Sequence, residues 1–395
     1  MTRQIFLTKN IPMGVSEVTV KEMTAAEVVE KVLGKENLFI FDVRNENDFN
    51  DWKIEGENFD YLNIPYFELL DGVEEVKDKL PKDKEILVVC AKEGSSVMVA
   101  EMLAEEGMDT AYLKGGMKSW SEHLYKAKVY EDGDIQVYQF VRVGKGCLSY
   151  MVVSGNEALI VDPARFTNEY IAATKKSGVK ITHVVDSHLH ADHISGAKEL
   201  SDATGANYYI MKSEGAVFDF LPFEDHDKIE FNNAELEVLA VKTPGHTPGS
   251  VSFFVNKKLL FSGDTIFISG LGRPDLGNKV REWANDLYDT VYNKVSEIAD
   301  DVIVLPSHYA DFDKEINEDG FIGDTLGNIR QRNEKMFKAA REDFLNDVEK
   351  SASSVKPPNF EEIVKINKGM LEADLERQQE LEIGPNRCAV HHTEE

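Results

Sequence analysis

Two textures of apolar and polar positions divide the 395-residue chain. In the first, helical spacing alternates with short apolar runs. TAAEVVEKVLG (24–34) repeats its apolar residues at helical intervals, opens on a capping box of Thr24 and Glu27 and ends on Gly34, so it predicts a helix with both ends marked. LFIFDVR (38–44) and EILVVC (85–90) are continuous apolar runs, the pattern of strands buried in a parallel sheet. SSVMVAEMLAEEG (95–107) predicts a helix stopped by Gly107, and DTAYLKGG (109–116) a last strand entering a Gly-Gly turn. These segments predict a compact α/β domain.

KAKVYEDGD (126–134) is polar and turn-prone, the composition of a linker. Beyond it the second texture begins. QVYQFVRV, CLSYMVVSG, ALIVDP and THVVDS read as strands punctuated by Gly and Asn, and ELEVLAVKTPGHTPGSVSFFV, KLLFSGDTIF and DVIVLPSH (301–308) add more. Polar residues repeatedly follow the C-terminal end of a strand, where α/β folds place their sites. From about residue 325 the chain is charged and helical, with a break at SASSVKPPN (351–359). That segment is expected as a packing or oligomerisation appendage, with a lid over the site as the sharper alternative.

Composition narrows the function. At 42% hydrophobic and 29% charged, the chain can bury the cores of two domains. A net charge of −27, from 44 basic and 71 acidic side chains, disfavours nucleic acid and anionic membranes as partners. No apolar run approaches the roughly 18–20 residues of a membrane span, and MTRQIFLTKN lacks the apolar core of a signal peptide. Cys90, Cys147 and Cys388 are too few and scattered for a disulfide framework, which predicts a reducing cytoplasm. Cys147, inside a strand-like run, is expected to pack. Cys388, in GPNRCAVHH near His391 and His392, could bind metal or relay sulfur, but tails at chain ends are usually loosely held.

THVVDSHLHADHISGAK (182–198) carries three histidines and two aspartates within eight positions after an apolar run. Such groups are costly to bury unless paired or bound to a metal. His188, His190, Asp192 and His193 form H-x-H-x-D-H, and an i, i+2 pair leaving a strand points both imidazoles to one side. Later strand ends offer His246 in TPGHTPG, Asp264 in FSGDTIF and His308 in LPSHYAD. Half of the chain's ten histidines therefore lie beside turns in one repeating pattern, which points to a metal site.

This succession of H-x-H-x-D-H, GHT, SGDT and SH is similar to the metallo-β-lactamase superfamily over roughly residues 130–325. The resemblance implies an αββα sandwich with the metal at one edge of two packed sheets. Glyoxalase II-like members hold two zinc ions with all these ligands and activate a hydroxide for thioester hydrolysis. Persulfide dioxygenases bind one Fe(II), and the ligands carried over from them are His188, His246 and Asp264, two histidines and a carboxylate with three positions left open. His190, Asp192, His193 and His308 would then hold water and orient those ligands, or bind a second metal. The continuation IFISGLGRPDLG, with Arg273 and Asp275, resembles the dioxygenases more than the glyoxalases. Arg273 could pair with an anionic thiol substrate or form a buried ion pair. The dioxygenases' Tyr follows the last His by two positions; here Tyr309 follows His308 directly.

VVCAKEGSS (88–96) sets Cys90 at the end of an apolar strand, before a six-residue loop that ends where a helix begins. Backbone N–H groups and the positive end of the helix dipole would stabilise an anionic sulfur there, thiolate or persulfide. With FDVRNENDF (41–49) and YLKGGMKSW (112–120), this loop resembles a rhodanese domain over residues 15–125, whose sulfur-carrying Cys maps to Cys90. Asp42 and Arg44 match the family's D-V-R, more often structural than catalytic. WKIEGENFD (52–60) departs from the usual G-H-I-x-G-A, and Lys92 with Glu93 leaves the loop nearly neutral, which argues against thiosulfate as donor.

The expected organisation is a rhodanese-like α/β domain (15–125), an αββα metallo-β-lactamase sandwich (130–325) and a helical C-terminal extension (326–395). The expected activity is oxidation of a small thiol persulfide to sulfite with O2 at Fe(II), coupled to sulfur transfer through Cys90 to sulfite or a carrier protein. A zinc hydrolase with two Zn(II) and a non-turnover persulfide sensor are the alternatives. Arg273 and Tyr309 are the expected substrate-binding residues, and glutathione, coenzyme A and bacillithiol stay open as the thiol carrier. A homo-oligomer fits the charged extension.

Overall fold

The computed structural model describes residues 20–232, 237–275, 279–351, 358–386 and 388. Residues 15–19 of the expected first domain, most of the 351–359 break, and His391 and His392 lie outside the described residues. The chain divides into two units between Met117 and Lys118.

In the first unit, strands β1 (Lys21–Met23), β2 (Leu38–Asp42), β3 (Phe59–Asn63), β4 (Ile86–Val89) and β5 (Thr110–Leu113) form an all-parallel sheet in the order β1-β5-β4-β2-β3. Strands β2 and β4 are buried along their whole length, which is why they read as unbroken apolar runs. Helix Ala25–Leu33 has the expected capping box, Thr24 with Glu27. Its stop differs from expectation: Gly34 stays right-handed at φ −75°, and the left-handed residue is Lys35 at φ 50°. The helix after Cys90 also begins early, at Gly94, so only Cys90–Glu93 separate it from β4 and the six-residue loop is shorter than expected. Glycine and two serines form its first turn in place of a loop.

The second unit holds two mixed sheets. One runs β12 (Leu221–Pro222), β11 (Asn207–Ile210), β10 (Lys180–Val185), β9 (Glu157–Val161), β8 (Cys147–Ser154), β7 (Ile135–Arg142), β6 (Tyr125–Asp132). The other is β13 (Lys228–Ile229), β14 (Val238–Lys242), β15 (Val251–Val255), β16 (Leu259–Gly263), β19 (Ile303–Pro306), β20 (Asp324–Thr325), with a small ribbon of β17 (Ile266–Phe267) and β18 (Gly270–Leu271). Alternation along β8 explains the layering. Leu148, Tyr150 and Val152 enter the core shared with Phe253, Phe261 and Val304 of the other sheet. Met151 and Val153 face the opposite way, onto Tyr170 and Leu200 of the helices Thr167–Ser177 and Ala197–Thr204. Helix Val280–Asp289 packs Ala284 and Leu287 into the main core, completing the αββα layering.

The stretch 126–134, expected as a linker, is instead most of edge strand β6, paired antiparallel with β7 through a turn at Gly133 (φ 58°). Its polarity belongs to a strand with one wet face: Lys126 and Lys128 are exposed while Ala127 is buried. Among the described residues, no helix is long and apolar enough to cross a membrane.

Candidate metal centre and sulfur-carrying thiol

Every candidate metal ligand of the second unit leaves the end of a strand at one edge of the two sheets. His188–His193 follow β10, His246 lies between β14 and β15, Asp264 follows β16 and His308 follows β19. Cys147, the first residue of antiparallel β8, reaches the same edge and forms an isolated bridge with His308 across the two sheets. The loops also bond one another: Val251 N donates to Ser187 O at 2.8 Å, and Ser307 N to Gly263 O at 3.0 Å. Gly272 permits the closest approach, since a Cβ there would lie 1.7 Å from the carbonyl oxygen of Asp264.

His188, His246 and Asp264 form one fully buried group. The Nε2 atoms of the two histidines lie 3.6 and 3.4 Å from Asp264 Oδ2, which makes no hydrogen bond. The protons are accounted for. His246 Nδ1–H donates to the carbonyl of Arg273 at 2.8 Å, which leaves Nε2 as a lone pair. Ser187 gives its hydroxyl proton to Asp162 Oδ2 at 2.8 Å, so His188 Nδ1, 2.9 Å away, donates to Ser187 Oγ and again leaves Nε2 as acceptor. Burial is the main force holding both imidazoles below the ordinary histidine range and so neutral, the form that binds metal. Burial disfavours the Asp264 anion, but His308, which donates to it, holds that carboxyl well below its usual range. Three acceptors thus converge without a proton between them. Their spacing is near the roughly 3.4 Å of tetrahedral donors about 2.1 Å from one ion and somewhat wider than the roughly 3.0 Å of neighbouring octahedral ones. The residues fit a metal.

Cys147, Asp192, His193 and His308 form an adjoining buried group. His308 Nδ1 donates to Asp264 Oδ1 at 2.6 Å, joining the two groups, while its Nε2 lies 3.1 Å from Asp192 Oδ2 without forming a hydrogen bond. Cys147 Sγ is 3.6 Å from Asp192 Oδ2 and from His193 Nδ1. Burial and Asp192 push this thiol up, but His193 and His308 outweigh them and bring it to about 7. His193 is lowered by burial yet held up at about 9 by Cys147 and Asp192. The expectation that Cys147 merely packs is therefore corrected: its side chain faces Asp192 and His193 rather than an apolar core. His190 lies between the two groups, its ring centroid 4.3 Å from those of both His188 and His193, with Nε2 3.4 Å from Asp162 and 3.7 Å from Asp186.

Several contributors are absent from the sequence reading. Asp162, left-handed at φ 51°, accepts from Ser187 N and Oγ and from Ser307 Oγ, tying the β10 and β19 loops together. The C-terminal extension is more than an appendage. Asn367 donates to the carbonyls of His190 and His193 at 2.9 and 2.8 Å and accepts from Ser195 N. Glu382 is buried against Arg142 and Arg165 and accepts from Ile194 N at 2.7 Å. Burial disfavours its anion, but the two arginines bring its carboxyl down to about 2. Cys388, expected in a loosely held tail, is buried in a group with Asp264 and His308. Its N–H is held by Asn386, whose amide bonds the carbonyls of Lys145, Gly146 and Tyr309.

Arg273 and Tyr309, expected on the substrate side, are both engaged within the protein. The Arg273 guanidinium forks onto Asp275 with two contacts of 2.6 Å, and Tyr309 donates to Val143 O at 3.0 Å while packing on Phe312.

In the first unit, Cys90 is buried at the end of β4. Its thiol donates to Ser96 Oγ at 3.2 Å, and Ser96 donates on to Glu93 O at 2.8 Å. Glu93 in turn accepts from Gly115 N, and Met117 N donates to Cys90 O. Gly116, at φ 61°, lets the Gly-Gly turn lie against this loop, where a Cβ would sit 2.5 Å from Cys90 O. Asp42 and Arg44 form a buried bidentate pair that also holds Trp52 O, a structural arrangement.

Residues 24–123 match the rhodanese-like domain model, and residues 142–309 match the metallo-beta-lactamase superfamily model. The chain joins a rhodanese-like domain to a metallo-beta-lactamase domain. Human mitochondrial persulfide dioxygenase ETHE1 is 37% identical over 155 residues, covering 38% of this chain and 59% of that protein. The hydroxyacylglutathione hydrolase of Rhodospirillum rubrum is 32% identical over 130 residues, covering 31% of this chain and 48% of that protein. The chain thus spans between about half and three-fifths of the length of these curated relatives. Among solved structures, a Staphylococcus aureus metallo-beta-lactamase aligns at 26% identity and a TM-score of 0.52, over 63% of this chain and 73% of that one. ETHE1 from Myxococcus xanthus aligns at 22% identity and a TM-score of 0.51, over 62% and 98%, and shares the fold.

Proposed function

We propose that the protein oxidises a low-molecular-weight thiol persulfide to sulfite with O2 at one Fe(II), and moves sulfane sulfur through Cys90. The observation that carries this reading is the convergence of His188 Nε2, His246 Nε2 and Asp264 Oδ2 on one point with no proton between them. Similarity to the human persulfide dioxygenase supports the choice of chemistry. Fe(II), held by these three residues, would supply a redox-active centre with open positions for the two substrates. The protein's own part is positioning. Arg273, through its carbonyl, and Ser187 fix the tautomers of His246 and His188. Arg273 and Tyr309 serve the substrate side by holding the His246 loop and the chain after His308 in place, not by direct contact.

In the rhodanese-like domain, a persulfide on Cys90 would pass its outer sulfur to sulfite. The S–S bond breaks, its electron pair returns to Cys90 as thiolate, and thiosulfate leaves. The buried hydrogen-bond chain from Cys90 through Ser96 to Glu93 holds the Cys90 sulfur, the leaving group of this step, in place while sulfite attacks the outer sulfur. The proposed organisation is a sulfurtransferase domain at 15–125, an oxidising domain at 130–325 and a C-terminal extension at 326–395, working in a reducing cytoplasm.

Hydrolysis of a thioester with two Zn(II) is the competing reading, favoured by the adjoining group of Asp192, His193 and His308 and by similarity to hydroxyacylglutathione hydrolases. The test is to load the protein separately with Fe(II) and Zn(II) and offer persulfides and thioesters of glutathione and coenzyme A, with bacillithiol persulfide alongside. Oxygen uptake confined to the Fe(II) form with persulfide is expected. Thioester cleavage by the Zn(II) form, with no uptake by the Fe(II) form, would replace this reading with the hydrolase.

A further inference from the structure

We propose that Cys147 is a thiolate metal ligand, making the group next to the Fe(II) position a Cys-Asp-His-His site for a thiophilic divalent cation such as Zn(II). The proposal goes beyond the reading above and holds whichever reaction the first site runs. It rests on geometry. His308 directs Nδ1–H to Asp264 Oδ1 at 2.6 Å, which leaves Nε2 buried, without a hydrogen bond and 3.1 Å from the equally buried Asp192 Oδ2. A carboxylate holding the far nitrogen of an imidazole is the arrangement that orients histidines toward a metal. Cys147 Sγ completes the set, 3.6 Å from both Asp192 Oδ2 and His193 Nδ1; the latter is also 2.9 Å from Asp192 Oδ1, a hydrogen bond that a bound cation would replace.

These separations match a tetrahedral ion. Two nitrogen or oxygen donors about 2.0 Å from zinc lie roughly 3.3 Å apart, and a thiolate at about 2.3 Å lies roughly 3.5 Å from its neighbours. Donor chemistry divides the two groups as well. His188, His246 and Asp264 offer nitrogen and oxygen, suited to Fe(II), whereas a thiolate favours a softer ion. The isolated bridge between Cys147 and His308 fixes the backbones that carry these two ligands relative to each other.

The test uses Co(II) as a probe of the full-length apoprotein, read by ion stoichiometry and absorption. Two ions per chain are expected, the second bringing a thiolate-to-cobalt charge-transfer band in the near ultraviolet. Cys147→Ser should remove that band and weaken the second equivalent by at least about 100-fold, beyond the cost of most outer-residue substitutions. Cys388→Ser should keep the thiolate band, whatever it does to the two affinities. One ion per chain with no thiolate band in the unsubstituted protein overturns the proposal, whatever the variants do. So does a band that survives Cys147→Ser and disappears in Cys388→Ser. Neither result bears on whether the Fe(II) form consumes O2, so the two proposals fail separately.

Discussion

The two candidate sites of this chain are built on opposite principles. The Cys90 site is local: the thiol, the serine that accepts from it and the carbonyl behind that serine all fall between residues 90 and 96. The metal centre is the reverse. Its candidate donors and supports come from Cys147, Asp162, the 186–193 loop, His246, Asp264, His308 and a C-terminal segment with Asn367 and Glu382. A local site depends on one strand–helix junction and the single turn, residues 115–117, that bonds to it. A dispersed one depends on every strand end keeping its place, so remote substitutions should damage it more.

The largest expected effect is at the centre itself. His246→Ala removes one of the three converging metal donors, and should take Fe(II) binding and oxygen uptake to background, measured by metal analysis and an oxygen electrode. Next comes a remote residue. Glu382→Ala leaves buried Arg142 without its carboxylate, Arg165 with Glu122 alone and the N–H of Ile194 unpaired, and should cost about 3–5 kcal/mol by denaturant unfolding of the second unit's transition. The sign with pH follows from Glu382 being lowered to about 2 in the folded protein. Its contribution is fully present above the unfolded value of about 4.3 and is lost as pH falls toward 2. Glu382→Gln should therefore be less stable at pH 7 yet flatter across that acid window.

Gly272→Ala is smaller still. Its new methyl collides with the Asp264 backbone, and Fe(II) affinity should fall by about 10–100-fold while Cys90 persulfidation is unchanged. The smallest effect is expected in the local site. Ser96→Ala removes one hydrogen bond to the Cys90 sulfur, worth about 1 kcal/mol, and should slow sulfur transfer only several-fold. A loss at Ser96 as large as that at Cys90 would mean the loop is less self-contained than described.

What was legible in the sequence follows the same division. The Cys90 loop could be read because its parts are contiguous, and H-x-H-x-D-H because strand alternation and a following turn gather its side chains. His246, Asp264 and His308 were found from a repeated signal, a polar residue just past an apolar run. Asp162 carries that signal too, in ALIVDP, and could have been found by it. Cys147 could not, because it begins its strand, and only the antiparallel pairing of β8 brings a strand start to the edge where its neighbours end. Glu382 and Cys388 have no local signature at all; their roles depend on where a charged extension returns. Lys126–Asp134 misled for a related reason, since an edge strand with one wet face has the composition of a linker.

The most direct test of the account is to compare Cys90→Ser and His246→Ala in one assay of oxygen uptake and sulfite release, with anaerobically Fe(II)-loaded protein and glutathione or coenzyme A persulfide. The account predicts that Cys90→Ser keeps uptake matched by sulfite but makes no thiosulfate, while His246→Ala loses uptake and keeps a persulfidable Cys90. Loss of uptake in Cys90→Ser, or no uptake by the unsubstituted protein shown to hold iron, would contradict it.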